Sequence, residues 1–132
     1  MITVLFACVH NAGRSQIAAA LFNQRADPNK ARAISAGTQP ASRVHPEVVD
    51  AMRTRGLDLS SQTPQKLTPE LAATAKWLIT MGCGDDCPVV AGVKRDDWPI
   101  LDPKGQSSNT VNAIADDIDA RVRAFVTSEH LD

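Results

Sequence analysis

Long hydrophobic runs are missing from this 132-residue chain. No stretch approaches the ~20 consecutive apolar residues of a membrane-spanning helix, so an integral membrane protein is not expected. Runs of like charge are missing as well. Fourteen basic residues face fifteen acidic ones, for a formal net charge of −1 with no basic cluster. That balance argues against a nucleic-acid or membrane-surface partner. The opening MITVLFACVH lacks a basic leader, and its apolar run is short and ends in polar residues. It is not read as a signal peptide, and a cytoplasmic protein is expected. Internal repeats, linkers and low-complexity tracts are absent, and the length suits one compact domain over 1–132. Cysteine is scarce, with only Cys8, Cys83 and Cys87. An odd count suits a fully paired structural framework poorly. In a reducing compartment cysteines are more often catalytic, redox-active or metal-binding.

What is present is a regular alternation of element types. Residues 2–7 form a continuous apolar, partly β-branched run, as in a strand buried on both faces. Residues 15–24 (SQIAAALFNQ) are alanine-rich with helical spacing. A second strand is expected at 32–36, closed by Gly37, and a helix at 45–55 with Pro46 in its first turn and Gly56 past its end. Thr68 is placed to cap a short helix at 69–75. WLITM (77–81) reads as a third strand, 82–97 as a long glycine-containing loop, 98–101 as a short fourth strand, and 110–126 as an amphipathic helix. This order predicts an α/β fold, a parallel sheet with helices on both faces.

In such a sheet, ligands bind beyond the carboxyl ends of the strands. CVHNAGRS (Cys8, Val9, His10, Asn11, Ala12, Gly13, Arg14, Ser15) occupies that place, between the first strand and the first helix. A helix N-terminus reached through a tight loop presents several backbone N–H groups to one point and binds anions. Gly13 and Asn11 tolerate the backbone angles such a loop requires. Cys8 at the centre of these donors is expected as a thiolate. Arg14 offers a planar fork for a tetrahedral oxyanion, and the Ser15 hydroxyl can steady the sulfur. A nucleophile, an oxyanion cradle and a cation within eight residues describe attack on phosphorus or a phosphorus analogue. His10 is read either as orienting this loop or as filling it, Asn11 as shaping it through side-chain bonds to backbone.

Cys83 and Cys87 are separated only by GDD. Three readings compete. Buried structural thiols are disfavoured by the polar spacer, and metal ligands by the scatter of His10, His45 and His130. A redox pair fits a flexible loop, one thiol reaching Cys8 and the other resolving the product by exchange. Asp102, in LDPKG, is by spacing alone the start of an Asp-Pro turn, although a carboxyl there could act as general acid if it kept its proton. Asp96 and Asp97 are read as solvated charges, Trp98 as a packing residue.

CVHNAGRS after VLFA, with SAGT (35–38), the downstream cysteine segment, LDP and the final helix, resembles the low-molecular-weight protein tyrosine phosphatase superfamily, and within it the arsenate reductases built on that fold. The resemblance covers almost the whole chain. It implies a four-stranded parallel sheet flanked by helices and a catalytic set of Cys8, Arg14, Ser15, Asp102, Cys83 and Cys87. Cys8 would attack arsenate with Asp102 as acid. Cys83 would then attack Cys8 to release arsenite, and Cys87 would attack Cys83. The resulting Cys83–Cys87 disulfide would be displaced toward solvent and reset by thioredoxin. The distal cysteines lie closer together here than in well-known thioredoxin-coupled members, so a mycothiol–mycoredoxin or glutathione–glutaredoxin system stays open. Phosphate and sulfate are expected as competing oxyanions, and a monomer with no bound cofactor or metal is expected. Family phosphatases carry tyrosines beside the Asp-Pro pair. This chain has no tyrosine, with Lys104 and Gly105 there instead, which counts against a phosphotyrosine-protein substrate. Some relatives hold potassium through Asn, Ser and a helix glutamate. Asn11 and Ser35 match, but the first helix has no acid, so a strong potassium effect is not expected. A low-molecular-weight phosphatase and a non-catalytic oxyanion or metal sensor are the alternative readings.

Overall fold

The computed structural model describes residues 1–83 and 86–132. Gly84 and Asp85, the first two residues of the GDD spacer and part of the loop expected at 82–97, lie outside the described residues. The elements run β1 (Ile2–Cys8), α1 (Arg14–Arg25), β2 (Ala31–Gly37), α2 (Pro46–Arg53), α3 (Pro69–Ala72), β3 (Trp77–Thr80), β4 (Lys94–Asp97) and α4 (Ser108–Ser128). The four strands form one parallel sheet in the order β2-β1-β3-β4. The expected α/β architecture is therefore present.

β1 is apolar throughout because both of its faces are covered. Its alternate residues enter two separate apolar clusters, as the two-residue strand period requires. Val4, Phe6 and Cys8 join Ile17 and Phe22 of α1, Val48 and Met52 of α2, and the apolar stripe of α4. Leu5 and Ala7 join Ala36, Leu78, Leu67, Ala72, Ala75, Cys83 and Cys87 on the opposite face.

Helix boundaries follow local chemistry. Thr68 caps α3, its hydroxyl accepting from Leu71 N–H at 3.1 Å, but the helix ends at Ala72 rather than 75. α4 begins two residues before the expected start because Ser107 accepts from Thr110 N–H at 3.3 Å.

The fourth strand differs from expectation. WPIL at 98–101 is not the strand; the charged KRDD at 94–97 is, paired with β3 from Trp77↔Lys94 to Thr80↔Asp97. All four β4 residues are exposed, as suits an edge strand that must not attract another chain. Trp98, one residue past the strand, donates its N–H to Thr80 O at 2.8 Å and turns its ring into the core, 5.5 Å from Phe6 and 6.4 Å from Phe125 between centroids. The packing role expected of Trp98 is the one observed.

Candidate active site

The carboxyl end of β1 delivers Cys8 to the mouth of the sheet, and the next residues wrap toward α1. Neighbouring β2 makes room. Gly37 pairs with Cys8 in register, and a Cβ there would lie 2.6 Å from Val9 O and 2.8 Å from Asn11 N. Only glycine lets the loop cross that close. Asn11 turns the loop through the left-handed region, with φ of 50°. α1 starts without any side-chain cap and without an acid in its first turn, which leaves its first N–H groups available to an anion.

Hydrogen bonds order the loop from behind. The backbone N–H of Gln65 donates to Asn11 Oδ1 at 3.0 Å, which fixes which end of the amide is oxygen. Asn11 Nδ2 therefore donates to Ser15 Oγ at 2.7 Å. Ser15 Oγ lies 2.9 Å from Cys8 Sγ, and either can donate while Cys8 is a thiol; once the sulfur is a thiolate only the hydroxyl can. Gln65 backbone, Asn11 amide, Ser15 hydroxyl and Cys8 sulfur thus form a hydrogen-bonded chain ending on the sulfur. Gln16 Nε2 adds bonds to Asn11 O (3.1 Å) and Oδ1 (3.2 Å). Sequence reasoning missed Gln65 and Gln16. Gln65 is 54 residues from Asn11, and no spacing rule links them.

His10 donates from Nδ1 to Gln39 O at 3.1 Å, which ties the loop to the segment after β2 and favours the orienting reading over the filling one. Ala12 O accepts from His45 N–H at 2.9 Å. His45, in the sequence the start of a helix and too scattered from His10 and His130 to suggest a metal site, has its ring beside Gly13, as Pro103 does. Burial pushes the His45 imidazole below its ordinary range, opposed by the charges of Glu47 and Asp102.

Arg14 reaches across to the 100–103 loop. Its Nη1 donates to Ile100 O at 3.2 Å and its Nη2 lies 3.9 Å from Asp102 Oδ2. Asp102 makes the Asp-Pro turn read from its spacing. Its Oδ1 accepts from Lys104 N–H at 3.0 Å, an Asp-Pro turn, while its other oxygen faces the anion loop. Asp96 and Asp97 are exposed, but not merely solvated. Asp96 accepts from Trp98 Nε1 at 3.1 Å and Asp97 from Thr80 Oγ1 at 2.6 Å.

Cys83 and Cys87 are joined in a disulfide, with Cα atoms 5.7 Å apart, while Cys8 is a free, buried thiol. The pair is not displaced toward solvent. Cys83 is 5% and Cys87 3% exposed, both packed on the face of the sheet opposite the cluster that holds Cys8. The reason is apolar. Leu5, Ala36, Leu67 and Leu78 offer a surface that two half-cystines complete. The segment still touches the anion site. Gly82 has φ of +95°, and a Cβ there would collide with the Arg14 guanidinium.

Among the described residues, no group of three or more His, Cys, Asp or Glu side chains could hold a metal ion, and no helix is long and apolar enough to cross a membrane. The cavity behind Asn11 is lined by Gln16, Asn23, Ser35, Gln62 and Gln65, without a carboxylate.

Comparison with known proteins adds independent findings. The profile of the low molecular weight phosphotyrosine protein phosphatase family matches residues 3–132. A putative arsenate reductase of Halobacterium salinarum is 36% identical over 121 residues, covering 89% of this chain and 85% of that protein. Arsenate reductase 1 of Bacillus cereus is 32% identical over 127 residues, covering 93% and 92%. A solved thioredoxin-dependent arsenate reductase of Corynebacterium glutamicum superimposes with a TM-score of 0.85 at 40% identity; it covers 99% of this chain, which spans 63% of that longer one.

Proposed function

Because the chain belongs to the low molecular weight phosphotyrosine protein phosphatase family, among its arsenate reductases, we propose that it reduces arsenate to arsenite through a three-cysteine relay carried within 1–132 as one domain. The observation that carries this reading is the Cys83–Cys87 disulfide one residue beyond Gly82, which itself abuts Arg14 of the anion loop, with Cys8 left as a free thiol.

The chemistry balances as follows. The Cys8 thiolate attacks arsenic(V) of an arsenate held by Arg14 and the amides of 9–15. A hydroxyl departs as water after taking the Asp102 proton. Cys83 attacks Cys8 Sγ; the electron pair of the S–As bond stays on arsenic, which leaves as arsenite. Cys87 attacks Cys83 Sγ, freeing Cys8 as a thiolate and closing the Cys83–Cys87 disulfide. Two thiols are oxidised for each arsenic reduced by two electrons. Phosphate and sulfate share the geometry and occupy the same loop, but phosphorus offers no such reduction, so they compete without turnover. An external dithiol resets the disulfide. Thioredoxin is the proposed donor, on the printed dependence of the Corynebacterium relative, and a cytoplasmic location follows from the need for a reducing compartment.

The test is a thiol count. Reduced protein, freed of reductant under nitrogen, receives arsenate, and a parallel sample receives phosphate. Two of the three thiols should disappear with arsenate alone, and peptide mapping should join Cys83 to Cys87. Retention of all three thiols overturns the relay; hydrolysis of an aryl phosphate would then identify a phosphatase. Adding thioredoxin with its reductase, or mycothiol or glutathione with its redoxin, to the oxidised product identifies the donor by which one restores three thiols.

A further inference from the structure

The relay ends in a disulfide that no reductant can reach as it stands. Thiol–disulfide exchange requires a thiolate to meet one of the two sulfurs directly, so its rate depends on access. With Cys83 5% and Cys87 3% exposed, the packing over these two residues must open locally before any external dithiol acts. What holds it shut therefore controls the second half of the cycle.

Apolar packing is one restraint, against Leu5, Leu67, Leu78 and four alanines. The second is polar and comes from the edge of the sheet. Arg95 Nη1 donates to Cys87 O at 3.4 Å and to Pro88 O at 3.3 Å. These are the two carbonyls at and immediately after the second cysteine. Beyond them the chain leaves the surface, Val89 being 86% exposed. Register explains why Arg95 can do this. It pairs with Leu78, whose side chain lies in the same cluster as the disulfide, so Arg95 rises from the sheet on the disulfide's face. Its platform is fixed by the four-residue pairing of β4 with β3. A guanidinium keeps its charge at every working pH, and charge-assisted bonds to carbonyls are stronger than neutral ones.

We propose that Arg95 is a positioning residue that latches the backbone at Cys87 and Pro88 to the edge strand and so sets the rate at which an external dithiol reduces the Cys83–Cys87 disulfide. This rests on the relay reading. It adds that re-reduction is gated by local opening, independently of the chemistry at Cys8. The gated step is ordinary exchange. A thiolate of the dithiol displaces one cysteine sulfur, the mixed disulfide is resolved by the dithiol's second thiol, and two electrons and two protons pass to Cys83 and Cys87.

The experiment uses the full chain, oxidised chemically with diamide so that it does not depend on arsenate. Wild type, Arg95→Ala and Arg95→Lys are mixed with dithiothreitol, or with reduced thioredoxin, and free thiols are trapped by alkylation over time. Arg95→Ala should be reduced about three- to tenfold faster than wild type, the range expected for losing a shared charged bond that is long and partly solvated. Arg95→Lys keeps the charge but not the reach of the fork, and should lie between. Arsenate-driven thiol loss in pre-reduced protein, which precedes the latched state, should be unchanged in both. Equal or slower reduction of Arg95→Ala overturns the latch. If that variant fails to fold, Arg95→Lys decides alone: faster than wild type supports the latch, equal to wild type overturns it. Failure of the relay shows separately, as wild-type protein that closes no Cys83–Cys87 disulfide with arsenate.

Discussion

Ser15 sits between two groups that place different demands on its hydroxyl. Asn11 donates to its oxygen at 2.7 Å, and Cys8 lies 2.9 Å away needing a donor. In the proposed relay the Ser15 proton serves the sulfur both when the thiolate attacks and when Cys8 is displaced from Cys83 as a leaving group. Ser15→Ala removes that donor and leaves the Asn11 amide without its acceptor. Single-turnover loss of thiols on adding arsenate should slow by on the order of ten- to a hundredfold, while arsenate still binds through Arg14 and the loop amides. A rate equal to wild type would show that Ser15 only fills the loop. The grouping of Cys8, Arg14 and Ser15 was legible because one short motif holds them all, at a strand–helix junction whose backbone chemistry is general. Gln65 was not legible. Its contribution to Asn11 is a backbone N–H, which any residue type would supply, and it comes from a distant segment bridged to Gly37.

At the scale of elements, the polar staple between α1 and α4 is the clearest case of an interaction that no single segment announces. Arg25 donates Nε to Asp119 Oδ1 at 2.6 Å and Nη2 to Oδ2 at 2.9 Å, and Arg123 of α4 adds a contact at 3.1 Å. The hydrogen-bonded Arg25 guanidinium, foremost, holds the Asp119 carboxyl below the usual carboxylate range. Asp119 is largely covered, so the pair exceeds an ordinary surface bridge. Asp119→Ala should cost about 1–2 kcal/mol in urea unfolding, without altering arsenate-driven thiol loss. A shift of the unfolding midpoint indistinguishable from zero would mean that solvent already compensates both partners. The same scale explains the misplaced fourth strand. Hydrophobicity picked out WPIL, but an edge strand is defined by pairing, and β3 had free partners level with KRDD. Pro99 has no N–H to give a ladder, whereas Trp98 and Ile100 are wanted by the core. Strand β1, covered on both faces, was by contrast visible from its unbroken apolar run.

For the molecule as a whole, the two apolar clusters divide the cysteines of the proposed relay. Cys8 belongs to the face packed by α1, α2 and α4, and the disulfide to the face packed by α3. In that relay electrons would cross the carboxyl edge of the sheet, and the contacts there include the charged cluster around His45. That ring lies against Gly13 and Pro103, facing Glu47, Asp102, Lys104 and His10. Its folded-state proton affinity is lowered, chiefly by burial. The sign follows directly. The unfolded chain takes up a proton as pH falls through about 6.5, while the folded chain resists until lower pH, so global stability declines as pH drops below that value and levels off once the folded imidazole also protonates. Asp119 contributes its own loss only further down, as pH falls through its depressed folded value. Urea unfolding of wild type at pH 7.5 and 5.5 should therefore show a lower midpoint at 5.5. His45→Asn, which can still serve at the start of α2, should lose less over that interval, because the group that takes the proton in the unfolded chain is gone. Parallel declines in the two proteins would assign the acid sensitivity elsewhere and remove His45 from the account of how the Asp102 loop is held against the anion loop.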